Sequence, residues 1–255
     1  EKLKKNITSK TKAIILVHQF GRVCNLDEIL SLANDQNITV IEDCAESVGA
    51  IYKKKFVGTF GKLACFSFFG NKVITTGEGG MIITDSFELQ EKIRLLRDHG
   101  MKSDGNYIHQ VLGYNYRMTN MQAAIGVGQM KRINEILEIK NKQEEIYYTN
   151  LSEIEDIRLL PIQRGDFNSV NWLITITCKS EEKRDKLMLY LKSKGIETRR
   201  MIRPVIDALY ISKYALERDE IADKVSAKSL HLPSGAKLTY DQILFITTTI
   251  KDFFK

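Results

Sequence analysis

Five apolar residues in an unbroken row, Ala13-Ile14-Ile15-Leu16-Val17, constrain the fold more than any other feature of the chain. An apolar run of that length with no polar alternation predicts a strand buried on both faces. Asn25 then stands as a capping residue before the first-turn acids Asp27 and Glu28, with Ile29, Leu30, Leu32 and Ala33 at helical spacing. A second apolar strand, Ile38–Glu42, comes next. Strand, helix and strand in this order predict a parallel pair within α/β layers.

Two further apolar segments, Leu63–Phe69 and Met81–Thr84, read as buried strands flanking the loop Gly70-Asn71-Lys72-Val73-Ile74-Thr75-Thr76-Gly77-Glu78-Gly79-Gly80. Upstream, Val40-Ile41-Glu42-Asp43 ends its strand on a carboxylate. A lysine amine and an acid, each delivered from a strand end, are the minimum protein parts for pyridoxal phosphate chemistry. The amine forms the Schiff base, and the acid keeps the pyridine nitrogen protonated so that the ring accepts electrons. Gly77, Gly79 and Gly80 read as residues that permit a backbone turn, not as a phosphate cradle.

Glu88–Asp98 has the spacing of an amphipathic helix with Leu89, Ile93 and Leu96 inward, closed at His99-Gly100, and a loop to Tyr114 follows. Thr119 with Gln122 predicts a capping box. It launches one long helix through Ala124, Val127, Met130, Ile133 and Leu137 to about Asn150. A helix of that length commonly bridges two domains, so residues 1–150 are expected to form the large α/β part and 151–255 a small α+β domain. In the latter, Val170–Cys178 and Ile196–Arg199 read as strands, and Glu181–Lys194 and a segment capped by Thr239 and Gln242 as helices.

The chain has 38 basic and 32 acidic residues. Its lysines are scattered and interleaved with acids, a pattern that argues against a nucleic-acid partner. No apolar run approaches the ~18 residues of a membrane span. Neither a signal-peptide core nor a span is expected, so the default setting is the cytoplasm. The four cysteines show no C-x-x-C pair, and no histidine spacing suggests zinc, so no metal is expected.

Four motifs carry a family resemblance: Thr11–His18; Ile41-Glu42-Asp43-Cys44-Ala45-Glu46-Ser47-Val48-Gly49-Ala50; the lysine loop; and Gly113-Tyr114-Asn115-Tyr116-Arg117-Met118-Thr119. With Leu232-Pro233-Ser234-Gly235 near the end, they resemble the DegT/DnrJ/EryC1/StrS nucleotide-sugar aminotransferases, and within these the perosamine/viosamine synthase type. The resemblance runs from Thr11 to the end. It implies a fold-type-I pyridoxal phosphate transferase, a mostly parallel sheet flanked by helices with a smaller α+β domain. It further implies that the family's sheet and phosphate-binding helix begin upstream of Glu1.

Carried over residue by residue, the resemblance makes Lys72 the Schiff-base lysine and Asp43 the partner of the pyridine nitrogen. Ser67, five residues before Lys72, matches a phosphate-binding serine. Asn115 matches an asparagine that reaches the cofactor phosphate of a neighbouring subunit, with Arg117 adding charge there, so a homodimer with shared active sites is implied. Glu46 stands where many members carry Gln or His. It is either protonated near the cofactor's 3-hydroxyl or turned to the substrate, and its plain alternative is an acid at a helix start. Arg199, Arg200 and Arg203 read equally as ligands for substrate phosphates or a donor carboxylate and as a solvated basic edge. The implied reaction moves an amino group from an amino acid, L-glutamate by family habit, to C4 of a nucleotide-linked 4-keto-6-deoxyhexose. A 3-keto sugar substrate and a truncated, non-catalytic scaffold are the alternatives.

Overall fold

The computed structural model describes residues 1–101, 107–214 and 218–255. Part of the loop expected between Gly100 and Tyr114 lies outside the described residues. In chain order the elements are α1 (Lys2–Asn6), β1 (Ala13–Val17), α2 (Leu26–Asp35), β2 (Thr39–Asp43), β3 (Ile51–Tyr52), β4 (Lys55–Phe56), β5 (Leu63–Ser67), β6 (Gly80–Ile83), α3 (Phe87–Arg97), α4 (Asn120–Met130) and α5 (Ile133–Leu151). There follow β7 (Ile157–Leu159), β8 (Phe167–Asn168), β9 (Ile174–Cys178), α6 (Glu181–Ser193), β10 (Arg199–Arg200), α7 (Leu209–Ser212), α8 (Glu220–Lys228), β11 (Ser229–Leu232) and α9 (Tyr240–Phe254). The chain divides into two compact units. One comprises residues 1–137 with 164–170, the other 138–163 with 171–255.

The first unit is built on a four-stranded sheet of order β1-β2-β5-β6. β1, β2 and β5 run parallel, with Val17 opposite Asp43 and Asp43 opposite Cys65. β6 returns antiparallel and pairs Gly80 with Ser67. The parallel pair predicted from the strand–helix–strand pattern is therefore present, and Leu16, Leu26, Val40 and Ala64 meet in its core. Burial on both faces does not hold. Ile15 is 67% exposed on the edge strand β1, and Met81 and Ile82 are exposed on the opposite edge strand.

The predicted single helix from Thr119 to Asn150 is two helices. Arg132 donates its amide to Gln129 three residues back at 2.9 Å, a tighter 3₁₀-type turn, and its guanidinium grips Glu135. No Gly or Pro marks this break, so the apolar spacing ran through it. The capping box at Thr119 and Gln122 is formed as expected. At the end of α3 the left-handed position is taken by His99 (φ 57°), and Gly100 follows at φ 69°. A Cβ on Gly100 would come within 1.9 Å of the Val111 carbonyl oxygen.

The second unit is α+β. Its antiparallel sheet has the order β10-β11-β9-β7. The predicted strands are shorter or shifted: Val170–Cys178 contracts to β9, and Ile196–Arg199 moves to Arg199–Arg200. Ile176, Leu187, Leu191, Leu230, Ile243 and Ile250 form a separate core between sheet and helices. Each such side chain contributes roughly 1.5–3 kcal/mol by leaving water.

Candidate active site

The carboxyl ends of the parallel strands deliver the chemistry. Crevices at such ends are where open α/β sheets bind ligands. β2 ends on Asp43 and β5 on Ser67, and the chain then enters the lysine loop. That loop folds back on the end of β5: Lys72 N donates to Phe69 O at 3.0 Å, and Thr76 N and Thr75 Oγ1 both donate to Phe68 O. Gly79 has φ 139°, and a Cβ there would sit 2.7 Å from Thr76 Oγ1, so the glycine serves the turn as predicted.

The loop places Lys72 Nζ 3.7 Å from Glu46 Oε1, with the two side chains 12% and 14% exposed. Burial pulls the Lys72 amine below its ordinary pKa, while the nearby charges of Glu46 and Asp43 push it back up. Burial raises the Glu46 carboxyl, opposed by the Phe20 N–H that it accepts and by Lys72. An amine and a carboxyl, each moved toward neutrality and facing one another, form a pair suited to proton exchange.

The other predicted site residues divide. Asp43 Oδ1 accepts from Ala45 N at 3.0 Å, so this aspartate caps the turn after β2 while its charge also acts on Lys72. Ser67 Oγ accepts from Phe69 N at 3.3 Å at the start of the lysine loop. Asn115 and Arg117 are tied to the end of α3. Asn115 bridges Asp98 through the backbone, and Arg117 Nε lies 3.3 Å from Asp98 Oδ1. Arg200 and Arg203 are paired with Asp185 and Asp207.

Three supports went unread in the sequence. The amide of Phe20 reaches Glu46, a backbone contact without a side-chain signature. Gln129 Oε1 accepts from Thr75 N at 3.0 Å, and Gln122 Nε2 donates to Glu78 O at 3.2 Å. With Gly126, whose added Cβ would meet Thr76 Cγ2 at 3.0 Å, these glutamines form an i, i+4, i+7 stripe of α4 directed at the lysine loop. The spacing was readable, but apolar residues drew attention to the wrong face. Val127 and Met130, which carried the apolar helical spacing, are exposed, as are Met121 and Ile125.

The third support is His18, which has no spacing signal. His18, Glu42 and Cys44 are all buried with ligand-type atoms close together. The Glu42 carboxylate is engaged instead by three backbone N–H groups and by His18. Burial, aided by the nearby Glu42 charge, raises the Cys44 thiol to about 12.

A lysine amine pressed toward neutrality, two carboxylates and a strand-end hydroxyl around parallel strand ends are the donor set that pyridoxal phosphate needs, and the residues present fit that group. Fold and site thus define a fold-type-I pyridoxal phosphate transferase. The chain belongs to the DegT/DnrJ/EryC1/StrS aminotransferase family, whose pattern matches residues 1–251. It is 38% identical over 253 residues to the GDP-perosamine synthase of Escherichia coli O157:H7, covering 99% of this chain and 68% of that protein. It is 33% identical over 247 residues to the UDP-N-acetyl-3-dehydro-alpha-D-glucosamine 3-aminotransferase of Acidithiobacillus ferrooxidans, covering 96% of this chain and 65% of that one. Among solved structures it is similar to that of S. venezuelae DesV, with a TM-score of 0.90. For DesV the identity is 28%, with 99% of this chain and 68% of that chain covered. The chain is thus of an aminotransferase family that works with pyridoxal phosphate.

Proposed function

We propose that this chain transfers an amino group from an amino acid, L-glutamate, to C4 of a nucleotide-linked 4-keto-6-deoxyhexose, for amino-sugar and surface-glycan biosynthesis. The observation that carries the proposal is the Lys72–Glu46–Asp43 cluster in a chain 38% identical to a GDP-perosamine synthase. Bound there, pyridoxal phosphate supplies the electron sink for amino-group exchange. Lys72 would hold the cofactor through its aldehyde and would carry a proton at Nζ, its lowered pKa favouring the basic amine. Asp43 would hold the positive charge of the pyridine nitrogen and Ser67 would donate its hydroxyl to the phosphate, while Glu46 orients Lys72.

Asn115 and Arg117 are proposed to serve the cofactor phosphate of a second copy, making the working unit a homodimer. The inverted helix α4 supports this: its polar stripe faces its own lysine loop, while Met121, Ile125, Val127 and Met130 are left outward. All six proposed residues lie in the first unit, which we take as the cofactor-binding domain, with the second as the smaller domain. Among the described residues no helix is long and apolar enough to cross a membrane, and all four cysteines are free, which supports a reducing cytoplasmic setting. The similarity to a 3-aminotransferase sustains a second reading in which C3 is aminated.

The test is borohydride reduction of the chain with pyridoxal phosphate, followed by peptide mapping and assay with 4-keto and 3-keto sugar nucleotides. The expected result is a pyridoxyl adduct on Lys72, lost in Lys72→Ala, and amination of the 4-keto substrate. An adduct elsewhere overturns the role of Lys72; turnover of the 3-keto substrate alone selects the second reading.

A further inference from the structure

We propose that His18 and Glu42 form a buried positioning pair that fixes the Phe20 amide on Glu46 and thereby sets the surroundings of Lys72. This rests on the reading of Lys72 as the cofactor lysine.

Glu42 is fully buried one residue before Asp43. Its Oε1 accepts from Phe60 N and Gly61 N, each at 2.7 Å; its Oε2 accepts from Gly58 N at 2.7 Å and lies 3.1 Å from His18 Nε2. Four donors fill the acceptor positions of one carboxylate, so it stays ionised, its pKa lowered by His18 and the three amides against its burial. His18 Nδ1 accepts from Cys24 N at 3.3 Å, which assigns the proton to Nε2 and makes the ring the donor to Glu42. The other titratable neighbours of Glu42, Cys24 and Cys44, have thiols raised to about 11 and about 12 and are neutral.

His18 therefore pins both ends of a tight turn. Its ring holds Glu42 and Cys24, and its amide donates to Asp43 O at 3.1 Å. Within the turn, Phe20 has φ 56°, a left-handed geometry unfavourable for a non-glycine residue. Gly21 follows at φ 82°, where a Cβ would meet the Val170 carbonyl oxygen at 1.7 Å. The constrained turn aims Phe20 N–H at Glu46 Oε2. Glu46 faces Lys72 and Asp43, so the orientation set at His18 arrives at the Lys72 amine through one hydrogen bond and one ion pair.

The test is the pH dependence of Lys72 acylation in the cofactor-free chain, read by competitive labelling and peptide mass, in His18→Gln and His18→Asn. Gln keeps an N–H donor toward Glu42; Asn is too short to do so. In His18→Asn the Phe20 amide leaves Glu46, the carboxyl protonates more readily, and Lys72 loses counter-charge. Its labelling at pH 8 should rise about threefold, equivalent to half a pH unit, with His18→Gln close to the native chain. Unchanged labelling in a folded His18→Asn overturns the proposal. If that variant does not fold, amide exchange in the native chain decides. Protection of Phe20 matching that of Gly58, Phe60 and Gly61 supports the pair; a Phe20 amide exchanging freely beside protected neighbours overturns it. Neither readout depends on the cofactor role of Lys72, which the borohydride adduct tests separately.

Discussion

At Lys72 two opposing effects meet within a few ångströms. Burial favours the neutral amine, and the charges of Glu46 and Asp43 favour the ammonium. Removing either carboxylate tips the balance one way. Glu46→Gln and Asp43→Asn should both lower the midpoint of Lys72 acylation in the cofactor-free chain, Glu46 more, because its effect on the amine is the larger of the two. In the holoenzyme they part. Asp43→Asn should cut kcat on the order of 10²-fold or more, the scale of a lost proton-handling group, whereas Glu46→Gln keeps the electron sink and should cost less. Steady-state kinetics over pH 6–10 checks both, and equal losses would deny Asp43 its separate task. Lys72 and Asp43 stood out because strand ends and a Gly-rich turn mark where side chains converge, whereas Glu46 came only from the family resemblance. The Phe20 amide did not stand out, since any residue there offers the same N–H. The Arg117–Asp98 pair was equally hidden, because it joins residues whose spacing follows no helix or strand period.

Among the elements, α4 departs most from its sequence pattern. Apolar residues at helical spacing marked the helix, yet Gln122, Gly126 and Gln129 turn to the lysine loop and the apolar side looks out. Periodicity finds a stripe but does not say which neighbour claims it. Here the loop's backbone N–H and C=O groups required polar partners, and the glutamines supplied them. Gln129→Ala should release Thr75 N, costing about 1 kcal/mol and raising proteolytic nicking between Gly70 and Gly80. Gly128 offers the complementary experiment, because a Cβ there would meet nothing within 4 Å. Gly128→Ala should stabilise the helix by roughly 0.5–1 kcal/mol in the isolated chain. If α4 lies between copies, as proposed, the same methyl should weaken association, and sedimentation with thermal melts separates the two effects. The break at Arg132 went unread for a different reason: an i, i+3 Arg–Glu grip leaves the helical spacing of apolar residues intact on either side.

Across the whole molecule, the parallel pair, the capping boxes and the α+β character of the second unit were readable from caps and apolar runs. What holds the second unit's last loop was not, because it depends on one helix reaching residues some ninety positions later. Three side chains of α5 at i, i+3 and i+7 grip successive carbonyls. Tyr147 Oη donates to Pro233 O at 2.7 Å, Gln143 Nε2 to Gly235 O at 2.8 Å, and Lys140 Nζ to Ser234 O and to Trp172 O. Lys140 is buried, and burial lowers its pKa to about 8. Unfolded, a lysine titrates near 10.4, so between about pH 8 and 10.4 the unfolded chain binds more protons than the folded one. Stability must therefore rise with pH across this window as far as Lys140 governs it, by at most about 3 kcal/mol at ~1.4 kcal/mol per pKa unit. Lys140→Met should flatten that rise, whatever it does to the baseline through the two carbonyls it abandons. Other lysines and tyrosines titrate alike in both proteins, so the difference between the two denaturation curves at pH 8 and pH 10 isolates Lys140. A native chain whose stability rises no more steeply than the variant's would place the ammonium, not the neutral amine, as the form that the carbonyl clamp prefers.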